Sequence, residues 1–141
     1  MNVKSTEKIT VQSTILAPID AVWKSWTDPK EIVNWYFASE DWHCPRAEND
    51  LSVNGKFLFR MEAKDGSFGF DFEGIYTSVK TKELIEYVLA DDRRISISFT
   101  DLGNEIEITE TFDAETENPV EMQQKGWQAI LNQFKKYTES N

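Results

Sequence analysis

Apolar and polar residues alternate in a regular way along most of this chain, and the period of the pattern changes near its end. Between residues 118 and 137 the apolar residues recur at helical spacing, which predicts one long amphipathic helix: Val120, Trp127, Ile130, Leu131 and Phe134. Asn118 is expected to cap this helix, and Pro119 to take its first position. Gln123 falls within the apolar stripe, so it is expected to face the same side.

Two shorter helices are predicted near the beginning of the chain. The first covers residues 18–27, opens on a proline and carries Trp23 and Trp26 at helical spacing. Asp28 is then expected to cap the second helix, with Pro29 at its first position. Helices this short are not stable alone, so both should pack against a larger body.

The remaining segments alternate apolar and polar residues with period two, as strands with one buried face do. Turn signals such as Asp65-Gly66 separate consecutive strands, which are therefore expected to pair antiparallel. Gly69 and Gly74 lie inside one strand and suggest bulges or sharp curvature there. The predicted strands cover residues 8–16, 44–48, 55–63, 68–76, 84–90, 94–100 and 105–112.

The order strand, two helices, six strands and long helix predicts an α+β fold. A curved antiparallel sheet of about six to seven strands, wrapped around the C-terminal helix, buries all the apolar faces together. We expect one domain over residues 1–141, ordered from about residue 8 to about residue 138. Where the sheet curls away from the helix, an apolar pocket is expected.

Composition acts mainly by excluding classes of function. The net charge of −10 argues against nucleic acid and against an anionic membrane surface as partners. No signal peptide and no membrane-spanning apolar run is visible, so we expect a cytoplasmic protein without membrane insertion. One histidine and one cysteine cannot supply the ligands of a zinc site, and no phosphate loop is visible. Neither a metal nor another cofactor is therefore expected.

Seven short motifs follow one another across nearly the whole chain: APIDAVW at 17–23, WTDP at 26–29, WY at 35–36, VNGKF at 53–57, FDFEG at 70–74, TETF at 109–112 and QKGWQAIL at 124–131. Together they resemble the START-like (SRPBCC) superfamily. More specifically, they are similar to the bacterial homologues of the activator of the heat-shock-protein-ninety ATPase. No single motif is specific, but their order and spacing are.

The resemblance implies a helix-grip fold with a hydrophobic cavity. The superfamily includes lipid carriers, plant-allergen-like flavonoid binders and polyketide cyclases, so this fold alone does not fix a function. The related eukaryotic co-chaperones carry a separate amino-terminal domain, and no segment of that length precedes residue 8 here. The expected partner is therefore a small hydrophobic molecule, with a chaperone as a second candidate.

Glu110 is the strongest candidate for a residue that takes part in binding or catalysis. By period two it shares a strand face with Phe112 and with the isoleucines two and four residues before it, so a carboxylate projects where its neighbours are buried. A buried carboxylate needs a partner, a water molecule or a proton. We expect Glu110 either to line the pocket as a polar anchor or acid/base, or to meet Arg60 or Arg94 at a wet strand end.

His43 is the second candidate acid/base, at the mouth of the pocket, with a plain surface histidine as the alternative. Its neighbour Cys44 points to the other side of an extended segment, so the two cannot form a nucleophilic pair. Tyr87 is a further candidate for proton transfer.

The expected ligand-binding residues face the gap between the sheet and the long helix: Phe59, Met61, Phe72, Glu110, Gln123, Trp127 and Ile130. The favoured interpretation is binding of a small hydrophobic ligand such as a lipid, a flavonoid or a polyketide-like compound. One alternative is a cyclase-like or hydrolase-like enzyme that uses Glu110 or His43 as acid/base. Another is a co-chaperone-like interaction module. Because no nucleophile or metal cluster is visible, binding is preferred to catalysis.

Overall fold

The computed structural model describes residues 7–140, and within this range its elements follow the predicted order. Each predicted strand and helix is present, with ends that differ by a few residues. The elements are β1 (Lys8–Ile15), α1 (Ile19–Thr27), α2 (Pro29–Ile32), β2 (Trp42–Asn49), β3 (Lys56–Ala63), β4 (Gly69–Lys80), β5 (Leu84–Leu89), β6 (Arg94–Asp101), β7 (Ile106–Asp113) and α3 (Val120–Glu139).

The seven strands of the described region form one antiparallel sheet in the order β1-β7-β6-β5-β4-β3-β2. Consecutive strands from β2 to β7 are neighbours, as the short turns between them predict, and β1 adds to β7 at one edge. The sheet curls around α3, which confirms the α+β helix-grip fold. The connection that carries α1 and α2 runs from one edge strand, β1, to the other, β2.

The long helix α3 lies along the free edge of β1. Side chains of α3 donate hydrogen bonds to carbonyls of alternate β1 residues: Gln124 to Thr10 at 3.4 Å, Gln128 to Gln12 at 3.1 Å and Lys135 to Thr14 at 2.5 Å. These carbonyls point away from β7, and no other strand of residues 7–140 pairs with β1 on that side. The helix therefore covers an edge that would otherwise offer unpaired backbone groups to another chain.

The start of α3 differs from the prediction. Pro119, rather than Asn118, is the N-cap, and its carbonyl accepts hydrogen bonds from the backbone of Met122 and Gln123 at 3.1 Å. The Asn118 side chain makes no cap because the residue lies one position too early. The predicted cap of α2 is confirmed, since the Asp28 carboxylate accepts from the Lys30 backbone N–H at 2.9 Å.

The bulges are not at the two strand glycines. Gly69 and Gly74 pair in regular register with β3. The register shifts instead within residues 76–78 of β4 and within residues 43–46 of β2. A Cβ at Gly74 would lie 2.8 Å from the carbonyl oxygen of Val88 on β5 and 2.9 Å from the ring of Phe57, so this glycine is explained by close packing rather than by a bulge.

Large aromatic rings fill one end of the space between the sheet and the helices. Trp35 and Phe134 are fully buried, and Trp26 contacts both, with ring centroids 5.0 and 4.8 Å apart. The indole N–H of Trp35 donates to the Ser25 carbonyl at 2.9 Å, which ties the segment after α2 to α1. This packed end fixes the position of the rings that border the open space beside it.

Candidate ligand-binding cavity

A cavity of about 420 Å³ lies between the inner face of the sheet, α3 and the segment that follows α2. This volume is within the range of small-molecule sites, roughly 300 to 1,000 Å³. Half of the residues that line it are aromatic: Trp26, Trp35, Tyr36, Trp42, Phe57, Phe59, Phe70, Phe72, Tyr76, Tyr87 and Trp127. Period-two alternation on β3, β4 and β5 directs most of these rings to one face.

The structure brings most of the predicted residues together on the wall of this cavity: Phe59, Met61, Phe72, Glu110, Trp127 and Ile130. Trp127 is fixed there by stacking on Phe112, with ring centroids 3.9 Å apart and planes 14° apart. Gln123 and His43 are not among the lining residues. That these residues contact a ligand stays a prediction.

Gln123 has a structural role in the turn before α3. Its side-chain oxygen accepts from the Glu115 backbone N–H at 2.9 Å, and its amide nitrogen donates to the carbonyls of Glu115 and Asn118 at 3.0 and 2.8 Å. All its polar atoms are used within the protein, so the prediction that Gln123 lines the cavity is corrected. The apolar stripe predicted correctly which side of α3 carries Gln123. The stripe does not show how far the cavity extends along the helix.

Replacing Gln123 with Met is expected to lower the free energy of unfolding by about 1 to 2 kcal/mol, because three hydrogen bonds to the preceding turn are lost. Urea unfolding measures this loss. Gln124→Met is the matched control, since Gln124 only reaches the Thr10 carbonyl at 3.4 Å, and it should cost less than about 0.5 kcal/mol. Equal effects of the two substitutions would contradict the role assigned to Gln123.

His43 lies outside the cavity. About two-fifths of its side chain is exposed, and its Nε2 is 3.8 Å from the Glu62 carboxylate on the outer face of β3. Its neighbour Cys44 is buried on the inner side, where burial raises the pKa of the thiol to about 11. The expectation of His43 as an acid/base at the cavity mouth is thus corrected, and the opposed directions of the two side chains agree with the prediction.

Glu110 projects from β7 into the cavity and is only 5% exposed. Its cross-strand neighbours are Val11 and Ile97, and Ile108 and Phe112 flank it on the same face. Apolar side chains therefore surround it across the sheet. Burial raises the pKa of this carboxyl to about 8, since a charge is poorly solvated in these surroundings.

No ion pair or hydrogen bond from the other residues of the described range reaches the Glu110 carboxyl. Arg60 instead contacts Glu62 at 2.8 Å and Asp71 at 3.3 Å on the outer face. Arg94 is exposed at the beginning of β6. The alternative in which one of these arginines neutralises Glu110 is therefore excluded.

Two tyrosines face the same part of the cavity as Glu110. Burial raises the pKa of Tyr36 and of Tyr87 well above its ordinary value, and the nearby Glu110 carboxylate raises each of them further. Within residues 7–140 neither hydroxyl has a hydrogen-bond partner. The Tyr76 hydroxyl, by contrast, donates to the side-chain oxygen of Asn49 at 2.5 Å. Glu110, Tyr36 and Tyr87 thus form a polar cluster on the cavity wall that has no hydrogen-bond partner among the described residues.

Sequence reasoning identified Glu110 and Tyr87 but not Tyr36. Tyr36 lies in the segment after α2, beside the buried Trp35, and the sequence marked it only as part of the WY motif at 35–36. Its ring does stack on Phe72 and contact Phe59, with centroids 6.0 and 4.8 Å apart. Only the meeting of this segment with β5 and β7 in three dimensions shows that its hydroxyl joins the polar cluster.

Arg93 is the cationic residue on the cavity wall. It lies in the turn between β5 and β6, and its Nε donates to the Asp91 carboxylate at 2.7 Å. Its charge is therefore paired at the rim. Among residues 7–140, no group of three His, Cys, Asp or Glu side chains is placed to hold a metal ion, and no helix is long and apolar enough to cross a membrane.

The curled sheet, the long helix and the aromatic cavity define a helix-grip protein. The family model of activator of Hsp90 ATPase homolog 1-like proteins matches residues 16–139, so the chain belongs to that family. This finding confirms the resemblance drawn from the seven motifs. Among proteins with curated descriptions, none matches the chain.

Solved structures agree with this assignment. An AHSA1-like protein from Aeromonas hydrophila is 42% identical, with a TM-score of 0.89, over 95% of this chain and 93% of that one. A protein from Cytophaga hutchinsonii is 54% identical, with a TM-score of 0.82 and the same coverage. A protein from Chromobacterium violaceum is 22% identical, with a TM-score of 0.84 over 96% of this chain and 99% of that one, and this likeness shows the fold alone.

Proposed function

We propose that this protein binds a small, largely apolar ligand in the cavity between the sheet and α3. The observation that carries the proposal is an aromatic cavity of about 420 Å³ whose polar cluster has no partner within the described chain. Apolar walls with a few convergent polar groups are characteristic of small-molecule sites. Lipids, flavonoids and polyketide-like compounds are the ligand classes to test first.

The polar cluster supports a second candidate, an enzyme that moves a proton. A carboxyl with a pKa of about 8 can both give and take a proton near neutral pH, and two hydroxyls lie beside it. In such an enzyme Glu110 would be the acid/base, and the cavity would orient the substrate. Glu110→Gln would then abolish turnover while substrate affinity changed little, whereas a binding protein has no turnover to lose.

The family description suggests a third candidate, association with a chaperone. Such a partner would contact the outer surface and would not need the cavity.

Buried Cys44, a free thiol, is compatible with a reducing compartment, and we place the protein in the cytoplasm as part of the proposal.

A ligand screen by two-dimensional NMR tests the proposal. Binding compounds are expected to shift the signals of Phe59, Met61, Phe72, Trp127 and Ile130 on the cavity wall, while outer-face signals of β1 stay in place. Shifts confined to the outer face, seen only when a chaperone is added, would favour the third candidate. The absence of any shift with lipids, flavonoids and aromatic compounds would contradict the binding of a small apolar ligand.

A further inference from the structure

The polar cluster of Glu110, Tyr36 and Tyr87 is assembled from three separate parts of the fold: β7, the segment after α2, and β5. Each of the three side chains is held by apolar or aromatic neighbours, and within residues 7–140 none of their polar atoms is bonded to another protein group. Among the described residues, Thr138 Oγ1 is the only fully buried side-chain N or O atom without a partner, so the polar atoms of the cluster are open to the cavity. A molecule in the cavity can therefore supply the hydrogen bonds that the protein does not.

The three groups match the hydrogen bonds that an ammonium group needs. An ammonium carries donors only, and a carboxylate and two hydroxyl oxygens can all accept. The surrounding rings add a second attraction, since the face of an aromatic ring attracts a cation. Trp127 is the aromatic residue of α3 on the cavity wall, and it stacks on Phe112, two residues after Glu110.

The charges around the cavity also favour a cation. Arg93 is paired with Asp91 at the rim, and its positive charge acts on Tyr87. No cation of the described chain neutralises Glu110, whose pKa is raised by burial alone. The net charge of −10 attracts cations to the whole molecule. A carboxylate ligand would instead place a second negative charge beside Glu110, and a neutral alcohol would form no ion pair with it.

We propose that the ligand of this cavity is an organic amine with an apolar body, whose ammonium group pairs with ionised Glu110 and donates to the hydroxyls of Tyr36 and Tyr87. This inference rests on the proposed function, because it names the chemical class of the ligand in the same cavity. The amine enters as an ammonium ion, and the proton that Glu110 held before binding passes to solvent.

Glu110 is the group of the cavity that changes charge between about pH 6 and 9. The other titratable groups that face the cluster keep their protons in this range, because burial raises their pKa values, that of Cys44 to about 11. An arginine guanidinium such as that of Arg93 is always charged in proteins. The lining residues of α1, β3, β6 and α3 carry no titratable group. The buried groups with raised pKa values are Tyr36, Cys44, Tyr76 and Tyr87.

Three probes with the same naphthalene body test the inference: 2-naphthylmethylamine, 2-naphthylmethanol and 2-naphthoate. Dissociation constants come from NMR titrations of the full chain at pH 8.5, where most Glu110 is ionised. The amine is expected to bind at least about tenfold more tightly than the alcohol, and the naphthoate most weakly. Below pH 8 the affinity for the amine should fall about tenfold per pH unit, with release of about one proton, while the affinity for the alcohol stays level.

Glu110→Gln is expected to remove the preference for the amine over the alcohol. His43→Gln, outside the cavity, should behave as the wild type. Tyr87→Phe is a second cavity variant, which keeps the ring and should weaken the amine several-fold more than the alcohol.

Equal affinities of amine and alcohol for the wild type, or a preference that survives in Glu110→Gln, would overturn the assignment of an amine while leaving a binding cavity in place. If none of the three probes shifts a cavity signal at any pH, this inference fails, and if the lipids and flavonoids of the screen also shift none, the proposed function fails with it. The two failures are thus distinguishable.

Discussion

Replacing Glu110 with Gln is expected to stabilise the protein at pH 8.5 by about 3 kcal/mol or more and to leave its stability nearly unchanged at pH 4.5. Burial raises the pKa of the folded-state carboxyl from 4.5 to about 8. Between these two values the folded protein holds a proton that the unfolded chain has lost, so wild-type stability falls as pH rises. At about 1.4 kcal/mol per pKa unit the interval corresponds to roughly 5 kcal/mol.

Urea unfolding between pH 4.5 and pH 9 measures this effect. The wild-type and Glu110→Gln curves should separate from about pH 5 and run parallel again above about pH 8. Glu107→Gln is the matched control, because Glu107 lies on the other face of β7 and its substitution removes the same formal charge. If Glu110→Gln followed the control at every pH, the buried and unpaired state of Glu110 would be refuted.

The order and type of the secondary-structure elements could be predicted because each follows from local pattern. Alternation with period two marks the strands, and short turns make sequence neighbours pair along the sheet, as the order from β2 to β7 shows. The predictions that were wrong concern details that depend on contacts with neighbouring strands. Gly74 is required by the carbonyl of Val88 and the ring of Phe57 on the two neighbouring strands, and no pattern within β4 contains that information.

The candidate site was predicted in part for the same reason. Strand alternation was enough to place Glu110 and Phe72 on the inner face, and helical spacing was enough for Trp127. Whether Glu110 has a counter-ion depends on side chains far away in sequence, so the sequence left both alternatives open. Tyr36 joins the cluster only through the docking of the segment after α2, a tertiary contact without a local signature.

The position of Glu110 links stability to function. An acid that costs several kcal/mol of stability when ionised, without any gain from a partner in the described chain, breaks the ordinary rule for buried charges. Such departures are expected at sites where an external molecule supplies the missing partner. Ligand binding should therefore remove most of the pH dependence that Glu110 causes, because an ammonium partner lowers its pKa.

Gly126→Leu is expected to weaken the binding of 2-naphthylmethanol by about tenfold to 100-fold while the free energy of unfolding stays equal to or above that of the wild type. Gly126 lines the cavity, and a Cβ built there meets no atom within 4 Å. A leucine side chain would therefore occupy ligand space rather than collide with the protein. The expected loss of binding free energy is about 1 to 3 kcal/mol, the usual cost of overpacking, because the leucine side chain and the ligand occupy the same space.

Gly126→Ala separates the effect of volume from the effect of backbone stiffness. Alanine is favoured over glycine in a helix by up to about 1 kcal/mol, so this variant should be more stable than the wild type and bind the probe almost as well. Loss of stability in Gly126→Leu would show that the space beside α3 is filled in solution. Unchanged affinity in both variants would show that the ligand does not reach this part of the cavity. Both substitutions act at one open position on the helix that forms the cavity wall. The difference between their affinities for the probe therefore measures how much of the leucine side chain occupies space that the ligand needs.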